Sequence, residues 1–118
     1  MIGSLYLHEM NILVPDNKLL EMCRSKKIAV RELGESVGKK LIQRVSELMA
    51  ADSMDDFRTA HASGVLICTA PPPPTFQVHI QDSLNLLLRP VDRTLFNEST
   101  QIMDWTLVTD IELLKIAR

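Results

Sequence analysis

The stretch Lys26–Ala51, KKIAVRELGESVGKKLIQRVSELMAA, decides the fold, because its apolar residues recur at the spacing of a helix with one buried side. The apolar positions are Val30, Leu33, Val37, Leu41, Val45 and Leu48, with Ile42 and Met49 beside them. Gly34 and Gly38 interrupt the stripe, and each costs about 1 kcal/mol against alanine inside a helix, so we expect a slight bend or a close backbone contact there. The segment is predicted to form one long helix, which needs a broad surface to pack against.

The second half of the chain supplies that surface, because its apolar residues alternate as they do in strands. The alternation is cleanest in Thr75–Ile80, where Phe76, Val78 and Ile80 point to one side. Further strands are predicted at Met10–Val14, Val65–Thr69, Leu84–Arg89 and within Leu107–Ala117, with a short helix at Lys18–Arg24. This order predicts an α+β fold, in which two N-terminal helices pack on a mainly antiparallel sheet of four to five strands.

Three segments are predicted to connect these elements. Asp52–Arg58 is expected to be a connector with one helical turn that tucks Met54 and Phe57 inward. Pro71–Pro74 is expected to be a stiff extended loop, because proline cannot pair inside a sheet. Val91–Asp104 is expected to be a long polar connection.

The length of 118 residues predicts a single domain, residues 1–118, in which residues 1–9 form an extra N-terminal arm. No apolar run approaches the roughly 18 residues of a membrane span, and the N-terminus lacks the features of a signal peptide. These features predict a cytoplasmic protein without a membrane partner. Cys23 and Cys68 form neither a disulfide framework nor a metal-ligand spacing. We therefore expect reduced, buried thiols and no metal or other cofactor.

The charge is distributed unevenly along the chain. Residues 10–50 contain eight basic and five acidic residues, whereas residues 51–118 contain five basic and nine acidic ones. The basic side chains of the predicted long helix are Lys26, Lys27, Arg31, Lys39, Lys40 and Arg44. This helical face is interpreted as a solvated surface, and contact with ribosomal RNA or an acidic partner is the alternative.

Three blocks of the chain carry a recognisable pattern. They are Asn17–Phe57, then Phe76–Pro90 with a strand, turn and strand, and then Asp104-Trp105 followed by the apolar strand Val108–Ile116. The pattern residues of the first block are Leu20, Cys23, Ala29, Gly34, Lys40, Leu41, Arg44, Glu47, Leu48, Ala50 and Ala51. With these blocks, residues 10–117 resemble the RelE/ParE superfamily of bacterial toxins, in particular its HigB-type branch of plasmid maintenance system killer proteins.

The resemblance implies a small helix-on-sheet fold, an antitoxin partner, and cleavage of mRNA on the ribosome by basic residues and a histidine on the concave face of the sheet. The cutting positions do not carry over. The family's arginine, histidine, lysine and second arginine fall at Gly64, Leu66, Thr69 and Pro72, its Tyr-Arg pair falls at Leu84-Asn85, and its closing Asp-Tyr-His would begin at Arg118.

Cutting RNA through its 2′-hydroxyl requires a base, an acid for the leaving oxygen, and cations on the phosphate. Leu66, Pro72 and Asn85 can fill none of these roles, and general acid–base catalysis alone is worth roughly 10²–10⁴-fold. No catalytic residue is therefore assigned: His79, Arg89 and Arg93 are interpreted as ordinary surface residues, and a catalytic role for them is the alternative.

The sequence thus supports three interpretations. The first is a toxin-like component of a type II toxin–antitoxin module that is catalytically degenerate and acts by binding an antitoxin-like protein. The second is an active ribosome-dependent mRNA endoribonuclease of HigB type. The third is an unrelated small α+β protein-interaction module. The charge balance and the missing motif favour the first.

Overall fold

The structure is a computed structural model that describes residues 3–5, 10–61, 64–68, 74–97, 99–100 and 102–117, with only the backbone described at residues 3–5 and at Arg93. The helices are α1 (Asn17–Arg24), α2 (Lys26–Leu33), α3 (Glu35–Ala50) and α4 (Met54–Ala60). The strands are β1 (Gly3–Leu5), β2 (Asn11–Val14), β3 (Val65–Cys68), β4 (Thr75–Gln81), β5 (Leu84–Pro90), β6 (Phe96–Asn97), β7 (Ile102–Met103) and β8 (Asp110–Ala117).

The main sheet has the strand order β1-β2-β8-β5-β4-β3, and β6 pairs with β7 in a separate two-stranded sheet. Neighbouring strands are antiparallel except β2 and β8, which are parallel. The predicted α+β fold with a mainly antiparallel sheet is confirmed. The main sheet has six strands where four to five were predicted: the five strands β2, β3, β4, β5 and β8 lie after residue 10, and β1 extends the edge beyond β2.

The predicted long helix Lys26–Ala51 is wrong, because the chain breaks at Gly34 into α2 and α3. Gly34 has φ +90° and ψ 163°, a conformation open essentially to glycine alone. Its N–H closes α2 on the carbonyl of Val30 at 2.8 Å, and its own carbonyl accepts from the N–H of Gly38 at 2.9 Å to begin α3. With α1 and α4, the described chain has four helices rather than two N-terminal ones.

The second glycine of this segment brings the two helices together. A Cβ added at Gly38 would lie 2.7 Å from both the Cα and the N of Val30, well inside ordinary contact distance. The close backbone contact expected in this segment is therefore confirmed at Gly38. On α2 the residues that pack on the core are Ile28, Ala29 and Leu33, whereas the backbone of Val30 lies against Gly38.

Side-chain caps set the ends of the first two helices. Asp16 caps α1 by accepting a hydrogen bond from the N–H of Leu19 at 2.9 Å. Ser25 separates α1 from α2, since its N–H closes α1 on the Glu21 carbonyl while its hydroxyl accepts from the N–H of Ile28 at 3.3 Å. The predicted short helix at Lys18–Arg24 is thus confirmed, with its first residue at Asn17.

The connector after α3 contains a full helix, α4, where a single turn was expected. Ser53 begins it by accepting from the N–H of Asp56. Met54 and Phe57 are each 1% exposed, as predicted, and the N–H of Met54 bonds to the carbonyl of Val108 at 2.8 Å. This contact ties α4 to the chain just before β8.

One apolar core lies between the helices and one face of the sheet. Phe76, Val78 and Ile80 of β4 are at most 2% exposed, which confirms the predicted alternation. The other core side chains include Ile12, Leu41, Val45, Leu48, Leu86, Leu88, Ile111 and Leu113. Helix α3 is also tied to β4 by a 2.7 Å hydrogen bond from the Ser36 hydroxyl to Gln81.

The segment Val91–Asp104, expected to be one polar connection, contains the short β6–β7 pair. Phe96 and Met103 of this pair are buried, so the connection contributes to the core. The predictions for most of the N-terminal arm, for Thr69 and for Pro71–Pro73 lie outside the described residues.

Candidate functional site

The face of the sheet opposite the helices is called here the open face, and two of the three catalytic candidates, His79 and Arg89, lie on it. Alternation in β4 puts Gln77 and His79 on this face, and the pairing of β4 with β5 sets them opposite Leu87 and Asn85. Leu66 of β3 lies opposite Gln77 and is 60% exposed. The open face is therefore a mixture of apolar and neutral polar side chains in this region.

His79 is exposed on the open face, as the sequence predicted. Its directly opposite neighbour is Asn85, whose side-chain amide donates to the carbonyl of Ser83 at 3.2 Å. The Arg44 guanidinium reaches the backbone carbonyl of His79 over 2.9 Å and donates to Glu47 over 2.6 Å. Arg44 thus fastens α3 to β4 and its charge is engaged by a carboxylate.

Arg89 does not join His79. It lies four residues beyond Asn85 along β5, about 13 Å at the rise of an extended strand. Its Nε donates to Glu112 Oε1 across the β5–β8 pair at 2.6 Å, and the two side chains are 38% and 17% exposed. A base and a phosphate-binding cation must both reach one phosphodiester, so this separation and pairing leave no cutting site on these two residues.

The positions where the resemblance places the family's cutting residues hold groups without acid–base chemistry. Gly64, Leu66, Leu84 and Asn85 are described, and none of them titrates or carries charge. Thr69, Pro72 and Arg118 lie outside the described residues, as do His8 and the side chain of Arg93.

The basic helical face divides between two helices. Lys26, Lys27 and Arg31 lie on α2, whereas Lys39, Lys40 and Arg44 lie on α3. Lys39 pairs with Glu35 at 2.9 Å, and Arg31 lies 3.5 Å from Glu32. A shallow depression of about 460 Å³ opens between Lys26, Lys27, Val30, Glu35 and Lys39. The hydrogen bond and charge of Lys39 lower the pKa of Glu35, so this carboxylate partly offsets the lysines around it.

A groove forms on the opposite flank of the helices, along the edge of β8. Strand β2 pairs with β8 only as far as Leu13 and Glu112, so in the described chain no strand covers the following residues of β8 on this side. The groove has a volume of about 320 Å³ and is lined by Asp16, Lys18, Leu19, Met22, Glu32, Leu33, Leu114, Lys115 and Ile116. Lys18 and Glu32 lie 3.4 Å apart in its wall. We call it the β8 groove.

The β8 groove combines an apolar lining with charged groups, as protein interfaces do. Leu19 and Met22 of α1 are buried, and Leu114 and Ile116 are half-buried. Sequence analysis did not predict the groove. Its one signal in the sequence was the consecutive pair Leu113-Leu114, because a strand with strict alternation cannot bury both side chains on one face. In the structure the β5–β8 register shifts at this point, between Leu87 and Leu88.

The thiols of the chain are free. Burial raises the pKa of Cys23 to about 12, whereas Cys68 is half-buried on β3. Within the described ranges, no group of three His, Cys, Asp or Glu side chains is arranged to bind a metal ion. None of the helices in the described part of the chain combines the length and apolar character that crossing a bilayer requires.

Comparisons with protein-family models, with curated proteins and with solved structures find no significant match to this chain.

Proposed function

We propose that this protein is a toxin-like component of a type II toxin–antitoxin module, a HigB-type member of the RelE/ParE superfamily that binds an antitoxin-like protein without cutting RNA. The observation that carries the proposal is the disposition of the open face. His79 has Asn85 directly opposite it, and Arg89 is paired with Glu112 at 2.6 Å. Among the described residues, strand pairing brings one further cation to this face, Lys115 opposite Leu87, but it lies two strands away from His79, so no pair of cations is placed beside the histidine to hold a phosphate.

The helix-on-sheet architecture supports the family placement. The resemblance implies helices packed on one face of a small sheet, and α3 lies across β4 through Arg44 and Ser36. The first block of the resemblance, Asn17–Phe57, covers the four helices as far as Phe57 in α4. The third block, Asp104–Ile116, includes most of β8. These correspondences support the proposal that a toxin-like scaffold here carries an open face of different chemistry.

The β8 groove is the surface that we assign to the antitoxin-like partner. Its lining offers burial for two or three apolar side chains at roughly 1.5–3 kcal/mol each, which is enough to anchor a helix or strand. The uncovered edge of β8 adds unpaired backbone groups along one wall. The wall charges, Lys18 and Glu32 among them, would orient the partner's segment.

The test uses the protein encoded by the reading frame adjacent to this one, co-expressed with the chain and purified through a tag on either partner. The informative variant is Lys18→Glu, which replaces the attraction to Glu32 by repulsion at the groove. Lys39→Glu is the matched control, because Lys39 is likewise an exposed lysine in one ion pair with a glutamate, Glu35, but lies on the other helical surface.

We expect a stable complex whose dissociation constant rises roughly tenfold with Lys18→Glu and stays within about twofold with Lys39→Glu, measured by calorimetry. Equal affinities for both variants would remove the β8 groove from the proposal. Failure of the unmodified chain to bind the neighbouring protein would overturn the proposed function.

A further inference from the structure

We propose that two copies of this chain associate through β3, so that their sheets join into one continuous sheet across a two-fold axis. Strand β3 ends the sheet: its inner edge pairs with β4 from Val65–Val78 to Cys68–Thr75, and no other described strand lies outside it. Its outer edge therefore presents unpaired backbone N–H and carbonyl groups, which are a template for pairing with another strand.

The charge pattern shows that this edge is not protected in the usual way. Between Arg58 and Asp82 the chain has no aspartate, glutamate, lysine or arginine, although 24% of all residues are charged. This stretch supplies both β3 and β4. Edge strands are commonly blocked by a charged side chain or a proline within the strand. Here the proline run Pro71–Pro74 follows β3 and does not interrupt it.

Leu66 marks the centre of the contact. It lies in the middle of β3 and is 60% exposed, while Val65 and Ile67 on either side are half-buried and pack on the core. Pairing across the two-fold axis sets Leu66 beside its own copy on the open face, where such an apolar cross-strand pair contributes about 0.2–1 kcal/mol. Pairing with a second copy would therefore give the backbone groups of this edge hydrogen-bond partners and bring the two Leu66 side chains into contact.

Geometry selects the register. A two-fold axis perpendicular to the sheet keeps the open face of both copies on the same side, and directly opposite residues of an antiparallel pair share a face. Centring the axis on Leu66 sets this leucine opposite its own copy, Val65 opposite Ile67, and Gly64 opposite Cys68. Every one of these residues is uncharged, so the pairing brings no like charges together.

A second copy fits this edge because the strand is complementary to itself. An isologous contact needs a surface that matches its own rotated image, and an apolar, uncharged strand does so without further adjustment. The contact is short, so it belongs with the small, weak interfaces, and we expect a dissociation constant of about 100 µM. The β8 groove lies next to β8, which β5 and β4 separate from β3, so a contact through β3 leaves the groove open.

The first test is a disulfide across the two-fold axis. Leu66→Cys in a Cys68→Ser background places one thiol opposite its own copy at a Cβ separation of about 4.5–5.5 Å, from which a small shift reaches disulfide geometry. Leu107→Cys in the same background is the matched control, since Leu107 is 57% exposed but lies outside β3. Cys23 is buried in both.

On air oxidation well above the expected dissociation constant, most of the Leu66→Cys chain should form a covalent dimer on a non-reducing gel, and the Leu107→Cys chain should remain largely monomeric. Equal cross-linking of the two variants, or none at Leu66→Cys, would overturn the proposal and leave this edge to a strand of another protein.

The second test needs no cysteine. Sedimentation of the unmodified chain should show a concentration-dependent dimer, which Leu66→Lys weakens at least tenfold by placing two ammonium groups opposite each other. Leu107→Lys should leave it unchanged, and circular dichroism should show that both variants fold. A chain that sediments as a monomer far above the expected dissociation constant contradicts the inference. The result is independent of the proposed function, because the antitoxin-like partner is absent.

Discussion

Arg89 and Glu112 face each other across β5 and β8, and the arginine Nε donates to the glutamate Oε1 over 2.6 Å. The pair lies on the open face, where an enzyme that cuts RNA would need a free cation for phosphate. Its carboxylate instead neutralises the arginine that strand alternation brings to this face. This ion pair therefore leaves Arg89 without the free charge that a phosphate contact would need.

The strength of this pair is measurable by a double-mutant cycle with Arg89→Met and Glu112→Gln. We expect a coupling free energy of about 0.5–1 kcal/mol in chemical denaturation, the range for partly exposed pairs. Because salt screens such pairs, 1 M NaCl should reduce the coupling by roughly half or more. A coupling of zero in low salt would show that the contact is not maintained in solution.

Alanine substitutions at Gly34 and Gly38 should each lower the free energy of unfolding, but for different physical reasons. Gly34→Ala meets no atom within 4 Å but must adopt φ +90°, so we expect it to lower the free energy of unfolding by about 1–3 kcal/mol. Gly38→Ala forces a Cβ to 2.7 Å from the backbone of Val30, so we expect about 3 kcal/mol or more.

The control for both is Gly64→Ala, whose Cβ would lie at an ordinary 3.9 Å from the Cβ of His79 and should change stability by no more than about 0.5 kcal/mol. Urea denaturation of the three variants provides the comparison. Equal losses for all three would contradict the close packing of α2 on α3.

The thiols should react in a fixed order. Burial raises the pKa of Cys23 to about 12, so almost none of it is thiolate at pH 8, whereas Cys68 is half-buried on the edge strand. Alkylation of the folded protein should therefore modify Cys68 first, and Cys23 only after denaturation. Peptide mass spectrometry gives the order, and rapid native labelling of Cys23 would contradict its burial.

The pH dependence of stability should contain a contribution from Glu47. Partial burial opposes ionisation of this carboxyl, but its hydrogen bond to Arg44 and the charge of Arg44 prevail and lower its pKa below 4.5. A pKa lowered by folding stabilises the protein above the unfolded value, and this stabilisation is lost as the pH falls through the folded value.

Glu47→Gln should therefore lower the free energy of unfolding by roughly 1 kcal/mol at pH 7, and the difference from wild type should shrink as the pH falls below 4.5. Glu21→Gln, at an exposed position on α1, is the control and should have a small effect at every pH. If the difference in unfolding free energy between wild type and Glu47→Gln grew on acidification, folding would raise the pKa of Glu47 instead of lowering it.

Local patterns predicted much of this structure. The alternation of Phe76, Val78 and Ile80 identified the buried side of β4 without any knowledge of its neighbours, because side-chain direction in a strand follows from position alone. The short helix predicted at Lys18–Arg24 also depends on a local contact, because the Asp16 carboxylate accepts a hydrogen bond from the N–H of Leu19. These predictions depend on interactions over three or four residues.

The features that sequence reasoning missed depend on distant parts of the chain. A glycine in a helical pattern is compatible with a bend or a break, and the packing of Val30 on Gly38 accompanies the break at Gly34. The β8 groove arises because β2 ends at Val14 while β8 continues to Ala117, a mismatch between strands almost a hundred residues apart. The separation of His79 from Arg89 likewise depends on the register of β4 on β5, which no local pattern determines.

We propose that the chain has a toxin-like scaffold and does not cut RNA. The most direct test of this proposal is primer extension on an mRNA incubated with purified ribosomes and a high concentration of this protein. We predict the same products as with ribosomes alone. New cleavage sites within codons that disappear with His79→Ala, but persist with the control His61→Ala, would contradict the account.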